Sequence, residues 1–379
     1  MTQGTNRRAF LGSALAAAGL SPIAQAIGNN APGALPTLAL PAPGVAKLNA
    51  NENPVGPSPA ARAAIAESAT YGAYYVSQNV KRLKAMIAER HGLTTEHVAL
   101  SSGSSGVLTY LAVAASREGH ILGPDLFWDT TCKAAERQGA VIERLPKSPD
   151  LTIDLDAMLA QVNGQTALVH VTNPNNPTGL MLDAERLRKF CRAATKKTMV
   201  LVDEAYNELT DDPDGNTMVD LVREGHAVAV ARTFSKIFGL AGMRVGYIMS
   251  TPEIIEKLSV FSLGDYALNQ AGVAAAIASY TDEAFMAESK QKIFEARGMV
   301  EAGLKANGLE YLPSQTNFVF ANLGSLDAEK FRAEMAARSV LIRGIYRDYT
   351  HHSRVSMGNL PDVAQYVENI PKVLDALSA

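Results

Sequence analysis

Cysteine is scarce in this chain: two in 379 residues, Cys132 and Cys191. They lie far apart in no metal-ligand spacing, so neither a zinc site nor a disulfide framework is expected, and both read as core thiols. Charge of either sign is not in excess. The 35 Lys and Arg against 38 Asp and Glu leave a net charge of −3, which gives no electrostatic case for nucleic acid or an anionic membrane as partner. Tryptophan occurs once, as Trp128. What is present is ordinary for a globular enzyme: 47% hydrophobic and 19% charged residues, on a chain long enough for a large core and two or three domains' worth of material.

The amino terminus is distinctive. Asn6-Arg7-Arg8-Ala9-Phe10-Leu11 precedes a weakly apolar, alanine-rich stretch that runs to about Ile27 and contains the small-x-small sequence Ala24-Gln25-Ala26. Charged region, apolar region and cleavage site occur in the order of a secretory signal. The stretch is too short and too rich in alanine and glycine to span a membrane, so no stable membrane anchor is expected. The paired arginines resemble a twin-arginine export signal, which is an address rather than an anchor. Residues 1–26 are therefore expected to direct export to the periplasm. A frayed terminal helix, with the protein left in the cytoplasm, is the alternative.

A Pro/Gly/Ala-rich arm follows, within residues 27–60, extended or looped up to about residue 46. From there helices alternate with short apolar strands. Helices are predicted at Lys81–His91 and Val107–Ser116. Strands are predicted at His97–Leu100, His120–Leu122, Val141–Leu145, Ala167–Thr172, Thr198–Val202, Ala227–Ala231 and Val245–Ser250. The alternation implies an α/β layer fold with a mainly parallel sheet, spanning residues 61–255. Long helical segments then lead to strands at Asn317–Leu323 and Arg354–Met357, which suggest a second, smaller α/β domain over residues 256–379. Ligands of such sheets sit beyond the carboxyl ends of the strands. Those ends carry Ser102-Gly103-Ser104, Asn173–Gly179, Asp203–Tyr206 and Thr233–Lys236.

Lys236 ends a buried strand ahead of a glycine-rich turn, an unusual place for a charge. Desolvation and cationic neighbours lower a lysine's pKa and make its amine nucleophilic enough to form imines. Arg244 adds a permanent cation with a fork suited to phosphate, and Ser235 a hydroxyl. Asp203 follows the apolar run Met199–Val202 and needs a partner if buried. A protonated pyridine nitrogen would supply one, whereas a helix N-cap is the plainer role. Tyr206 and Asn176 could each reach a phenolate oxygen, although the Asn176 segment is a chain reversal on any reading. Ser102–Gly106 ahead of a helix can cradle an anion, or be a common turn. Trp128 suits stacking on a ring and core packing equally.

These residues match a family. Thr233-Phe234-Ser235-Lys236-Ile237-Phe238-Gly239-Leu240-Ala241-Gly242-Met243-Arg244-Val245-Gly246-Tyr247, Asn175-Asn176-Pro177-Thr178-Gly179, Val202-Asp203-Glu204-Ala205-Tyr206 and Asn49-Ala50-Asn51-Glu52-Asn53-Pro54 resemble the signatures of fold-type-I pyridoxal-phosphate aminotransferases, in their histidinol-phosphate aminotransferase branch. The likeness runs from about residue 46 to the carboxyl end. It implies a large cofactor domain with a mainly parallel seven-stranded sheet flanked by helices, and a smaller C-terminal α/β domain. By the same resemblance pyridoxal 5'-phosphate is the cofactor. Lys236 carries it as a Schiff base and shuttles the proton, Asp203 holds the pyridine nitrogen, and Asn176 and Tyr206 bind the phenolate oxygen. Ser104, Ser105, Ser235 and Arg244 bind the phosphate, Gly103 and Thr233 belong to the cofactor-binding set, and Trp128 stacks. Tyr75 matches a tyrosine that reaches the partner subunit's phosphate, which implies a homodimer with shared active sites. Arg354 matches the carboxylate clamp, with Asn53 and Arg343 on the substrate side. The implied reaction moves an amino group between an amino acid, or a histidinol-phosphate-like amine, and a 2-oxo acid.

The chain departs from the branch at Ser105-Gly106, where two acidic residues are usual, at Val76 after Tyr75, and at Pro124-Asp125-Leu126-Phe127-Trp128. On motifs alone a decarboxylase, lyase or racemase on the same fold stays open, as does a non-catalytic periplasmic amino-acid-binding protein. The intact Lys236, Asp203 and Arg244 set argues against the latter, since binding alone needs no imine-forming lysine. A nucleotide-binding protein would need a P-loop, which is absent.

Overall fold

The structure, a computed structural model, describes residues 42–378. The export signal expected at residues 1–26 and the first part of the arm lie outside the described residues. Nine of the expected strands and both expected helices form, most of them shifted by one to three residues at an end. The described strands are β1 (Ala46–Leu48), β2 (Val98–Ser101), β3 (His120–Pro124), β4 (Ile142–Leu145), β5 (Thr166–Thr172), β6 (Met199–Asp203), β7 (Val228–Thr233), β8 (Gly246–Met249), β9 (Glu310–Tyr311), β10 (Phe318–Asn322), β11 (Val340–Ile342) and β12 (His352–Ser356). Of these, β1, β9 and β11 are short strands that the sequence did not signal.

The main sheet has seven strands in the order β2-β8-β7-β6-β5-β3-β4. Only β8 runs against the others, pairing antiparallel with both β2 and β7. The central strands are buried on both faces, and this explains their continuous apolar runs. Alternate residues feed two separate cores: Val200, Val202, Val228 and Val230 lie in one, and Leu201, Ala229 and Ala231 in the other. Helix Ala184–Ala194 covers the first face with Leu187, Phe190, Cys191 and Ala194, spaced three and four apart. Helix Ser104–Ala115 covers the second with Val107, Leu108 and Leu111. Both cysteines are buried and unpaired, as expected of core thiols. Two smaller sheets complete the described chain: β12-β10-β9 is antiparallel, and β11 pairs in parallel with β1 of the arm. No described helix is long and apolar enough to cross a membrane.

Because β2, β5, β6 and β7 are mutually parallel, their carboxyl ends emerge at one edge of the sheet. The residues next in sequence are Ser102–Ser104, Asn173–Asn176, Glu204–Tyr206 and Phe234–Lys236. Parallel pairing is what gathers them.

Candidate active site

A cavity of about 310 Å³ opens at that edge. Ser104, Ser105, Trp128, Asn176, Asp203, Tyr206, Thr233, Ser235, Lys236, Arg244, Arg343 and Arg354 all line it.

Asp203 closes β6 and is 3% exposed. One carboxylate oxygen accepts the Ala205 N–H at 3.2 Å, a short cap of the turn that follows. Among the described residues it has no ion-pair partner at contact distance. Burial pushes its pKa up to about 7, against the pull of the Ala205 hydrogen bond and the Lys236 charge. Asp203 thus faces the cavity and steadies a turn, while the helix N-cap position that follows belongs to Tyr206.

Lys236 sits where β7 turns away. Thr233 shapes that turn: its Oγ1 accepts the Ser235 N–H at 3.1 Å and its hydroxyl donates to Ser235 Oγ at 2.9 Å. The Lys236 amine donates to the Asn51 carbonyl at 2.9 Å and lies 5.3 Å from the Tyr206 ring centre. Burial, then the Arg354 charge and that of Arg244, bring its pKa down to about 8, while Asp203 and Glu52 oppose the shift. A sizeable fraction of the amine is therefore neutral, and so nucleophilic, near neutral pH.

Tyr206 Oη accepts hydrogen bonds from Asn51 Nδ2 at 2.8 Å and Asn176 Nδ2 at 3.3 Å. Asn176 Oδ1 accepts from Arg354 Nη1 at 3.0 Å and from Tyr346 Oη at 3.4 Å. Arg354, 4% exposed, also donates to the Asn49 carbonyl at 3.3 Å and to Tyr346, and it faces no carboxylate. Burial lowers its pKa, yet a guanidinium keeps its charge.

At the other end, Ser104 and Ser105 open a helix whose free N–H groups and dipole favour an anion. Arg244 holds a left-handed backbone at φ 55°. Its guanidinium meets Ser235 Oγ at 3.5 Å and the carbonyls of Ala241 and Ser102 at 3.0 and 3.4 Å, with no acid to neutralise it. Gly103 does not line the cavity, but it holds φ 71°, which favours glycine, and a β-carbon there would push the Arg244 guanidinium aside. Gly246 is the matching gap in β8, where a β-carbon would come within 2.1 Å of the Ser104 nitrogen.

Two expected residues stand elsewhere. Asn53 is buried but is not among the residues that line the cavity. Its amide donates to the Ile237 carbonyl at 2.7 Å and to Ser289 Oγ at 3.1 Å, pinning the arm rather than facing substrate. Asn51, two residues earlier, occupies the site instead, and Ser356 Oγ donates to its Oδ1 at 2.6 Å. Tyr75 is 79% exposed and packs edge-on against Tyr266 at 5.1 Å, away from this chain's own cavity. Residues that sequence reasoning passed over are Asn51, Asn49, Glu52 and Tyr346. The Asn49–Asn53 motif pointed to the first three as a group, whereas Tyr346 carries no local signal. Trp128 both lines the cavity and packs against the second core.

A planar cofactor with a basic ring nitrogen, an acidic ring oxygen, an aldehyde and a phosphate fits this donor set. The unpaired Asp203 carboxylate suits the nitrogen, Tyr206 and Asn176 the ring oxygen, Lys236 the aldehyde, and the acid-free Arg244 cradle the phosphate.

Comparison with known proteins agrees. The family profile described as aminotransferase class I and II matches residues 43–370. The chain is 34% identical over 337 residues to a histidinol-phosphate aminotransferase of Shouchella clausii, covering 88% of this chain and 91% of that one. It is 37% identical over 308 residues to an aromatic amino acid aminotransferase of Nocardia farcinica, covering 79% and 85%. The crystal structure of a histidinol-phosphate aminotransferase from Sinorhizobium meliloti in complex with pyridoxal-5'-phosphate superposes with a TM-score of 0.81 at 29% identity, covering 88% and 92%. With the match running through nearly all of the described residues, this chain belongs to the class I and II aminotransferases, enzymes dependent on pyridoxal phosphate.

Proposed function

We propose that the enzyme takes the amino group from a ring-bearing amino acid, or a histidinol-phosphate-like amine, and passes it to a 2-oxo acid. The observation that carries this reading is that Lys236 and the uncompensated Arg354 enter one cavity beside Trp128 and Tyr346. Arg354 then holds the substrate carboxylate by its fork, and the two aromatic rings favour a planar side chain. The relatives' names support the choice, since both substrates so named carry a ring.

When bound, pyridoxal phosphate supplies an electrophilic carbon and a cationic ring that accepts the electron pair left as a substrate α-carbon bond breaks. This chain's residues do the rest. Ser104, Ser105, Ser235 and Arg244 hold the phosphate, and Asp203 keeps the ring nitrogen protonated. Tyr206, with Asn51 and Asn176 behind it, donates to the ring oxygen. The Lys236 amine would hold the cofactor's aldehyde carbon and, freed by the substrate amine, would be the base that moves the substrate α-proton to that same cofactor carbon.

A spectrum of the purified enzyme tests this. Ring-bearing amino acids should bleach the cofactor's visible-edge band, and a 2-oxo acid should restore it. Aspartate shifting the band as readily as phenylalanine or histidine would overturn the ring preference. Arg354→Lys should raise KM for both carboxylate substrates by about 100-fold, because a point charge replaces a two-toothed contact.

The proposal extends to a homodimer in an exported location. Tyr71, Tyr74, Tyr75, Leu263 and Tyr266 are all more than half exposed, which supports a face covered by a second copy. Light scattering should report a mass of two chains, and a monomer would refute the dimer. The Arg7-Arg8 sequence supports twin-arginine export. Replacing both arginines with lysine should leave the enzyme in the cytoplasm, and unchanged fractionation would refute that route.

A further inference from the structure

Between β11 and β12 the chain forms a strap that gives Arg343 and Tyr346 to the lining of the cavity. Tyr346–Tyr349 forms a tight turn, closed by the Tyr349 N–H on the Tyr346 carbonyl at 3.0 Å, with Arg347 at φ 49°. Much of this strap is exposed, so packing alone does not secure it. Two polar contacts cross from it to the loop after β3. Tyr349 Oη donates to Asp125 Oδ2 at 2.9 Å, and Arg347 Nη1 lies 3.7 Å from Asp129 Oδ2. These carboxylates stand on either side of Trp128 in sequence, and Asp125 lies within the segment where the chain departs from its family's usual residues.

We infer that Asp125 and Tyr349 are positioning residues: their hydrogen bond ties the strap to the Trp128 loop and so holds Tyr346 against Arg354. This rests on the reading of Arg354 as the carboxylate clamp. The chain of contacts is continuous. Asp125 fixes Tyr349, the turn carries that constraint to Tyr346, and Tyr346 Oη accepts from Arg354 and donates to Asn176.

The two crossing contacts are unequal. Arg347 is exposed and its pair is long, and such surface pairs contribute little. Asp129 is in any case bound at 3.0 Å by Arg144 and by Lys133. The Tyr349–Asp125 bond joins a neutral donor to a carboxylate between two half-buried residues, which is the stronger kind. The Lys147 Nζ, which feels the Asp125 charge, is buried without a hydrogen-bond partner. Desolvation brings its pKa down to about 7, and the Asp125 charge, ahead of that of Asp150, opposes the shift. The latch is therefore assigned to Asp125 and Tyr349, with Arg347 dispensable.

The experiment uses the full-length holoenzyme and compares Tyr349→Phe, Asp125→Ala, the double variant, Arg347→Met and Arg354→Lys. Cofactor absorbance and melting temperature are recorded beside steady-state constants. Tyr349→Phe should raise KM for both substrates about tenfold while kcat stays within about twofold, the range of one charge-assisted hydrogen bond. Asp125→Ala should match it, the double variant should go no further, and Arg347→Met should behave as the parent. If Arg354→Lys raises KM and Tyr349→Phe does not, the latch is refuted and the clamp stands. If Arg354→Lys leaves KM unchanged, the clamp reading fails first. A Tyr349→Phe variant that loses kcat and melting temperature together, at constant KM, shows a merely structural bond and also overturns the inference.

Discussion

Lys236→Ala will lose about 10⁴-fold or more in turnover while folding normally and still binding cofactor. Among the described residues that line the cavity it is the one lysine, so no neighbouring amine can take over. Moving a proton by a positioned base is worth about 10²–10⁴-fold, and the loss of the covalent attachment adds to that. Folding should not suffer. Burial lowers the amine's pKa to about 8, so its charge is held at a cost to the folded state, and removing the amine relieves that cost. The checks are single-turnover rate, cofactor absorbance and melting temperature at pH 7. Restored turnover with added methylamine would show that the amine alone was lost, whereas activity within about tenfold of the parent would remove Lys236 from the chemistry.

Asp203→Asn has the second largest expected effect, and it should change sign between two states of the protein. In the holoenzyme the carboxylate holds a protonated ring nitrogen. Breaking such a buried pair costs about 3–5 kcal/mol, or about 10²–10⁴-fold in rate. In the cofactor-free protein the same carboxylate is a burden. Its folded pKa of about 7 lies above the ordinary 3.8 because of burial. Between those values the unfolded chain has released the proton that the folded chain retains. Stability of the cofactor-free parent therefore falls as pH rises from about 4 to about 7 and then levels, a penalty on the order of a few kcal/mol. The amide carries no such penalty. Cofactor-free Asp203→Asn should melt higher than its parent at pH 8, and the loaded variant lower than the loaded parent. A variant that melts alike in both states would separate Asp203 from the cofactor.

Much of this was legible before any coordinates. A parallel strand buried on both faces must be apolar at every position, so Met199–Val202 and Ala227–Ala231 stood out without periodicity. The polar residue that ends each run lies at the sheet's edge by necessity, which is how Asp203, Asn176, Lys236 and Ser104 could be nominated separately. Their long flanking motifs then named the family.

Other parts depend on contacts between distant segments. Asn51 and Asn53 are the same residue type two positions apart on an arm with little regular structure. What separates them is that Ile237 and Ser289 capture one, while Tyr206 and Ser356 capture the other. Tyr346 has no motif, because its role comes from a turn that lays it against Asn176 and Arg354. The shifts at Asp203 and Lys236 likewise come from desolvation, a property of everything packed around them. The sequence by itself determined the strands, the reactive residue types and their order, because backbone geometry and burial are written locally. Only the tertiary structure decided which of two similar side chains faces the cavity, and what charge the buried groups carry there. Both depend on neighbours that are far away along the chain.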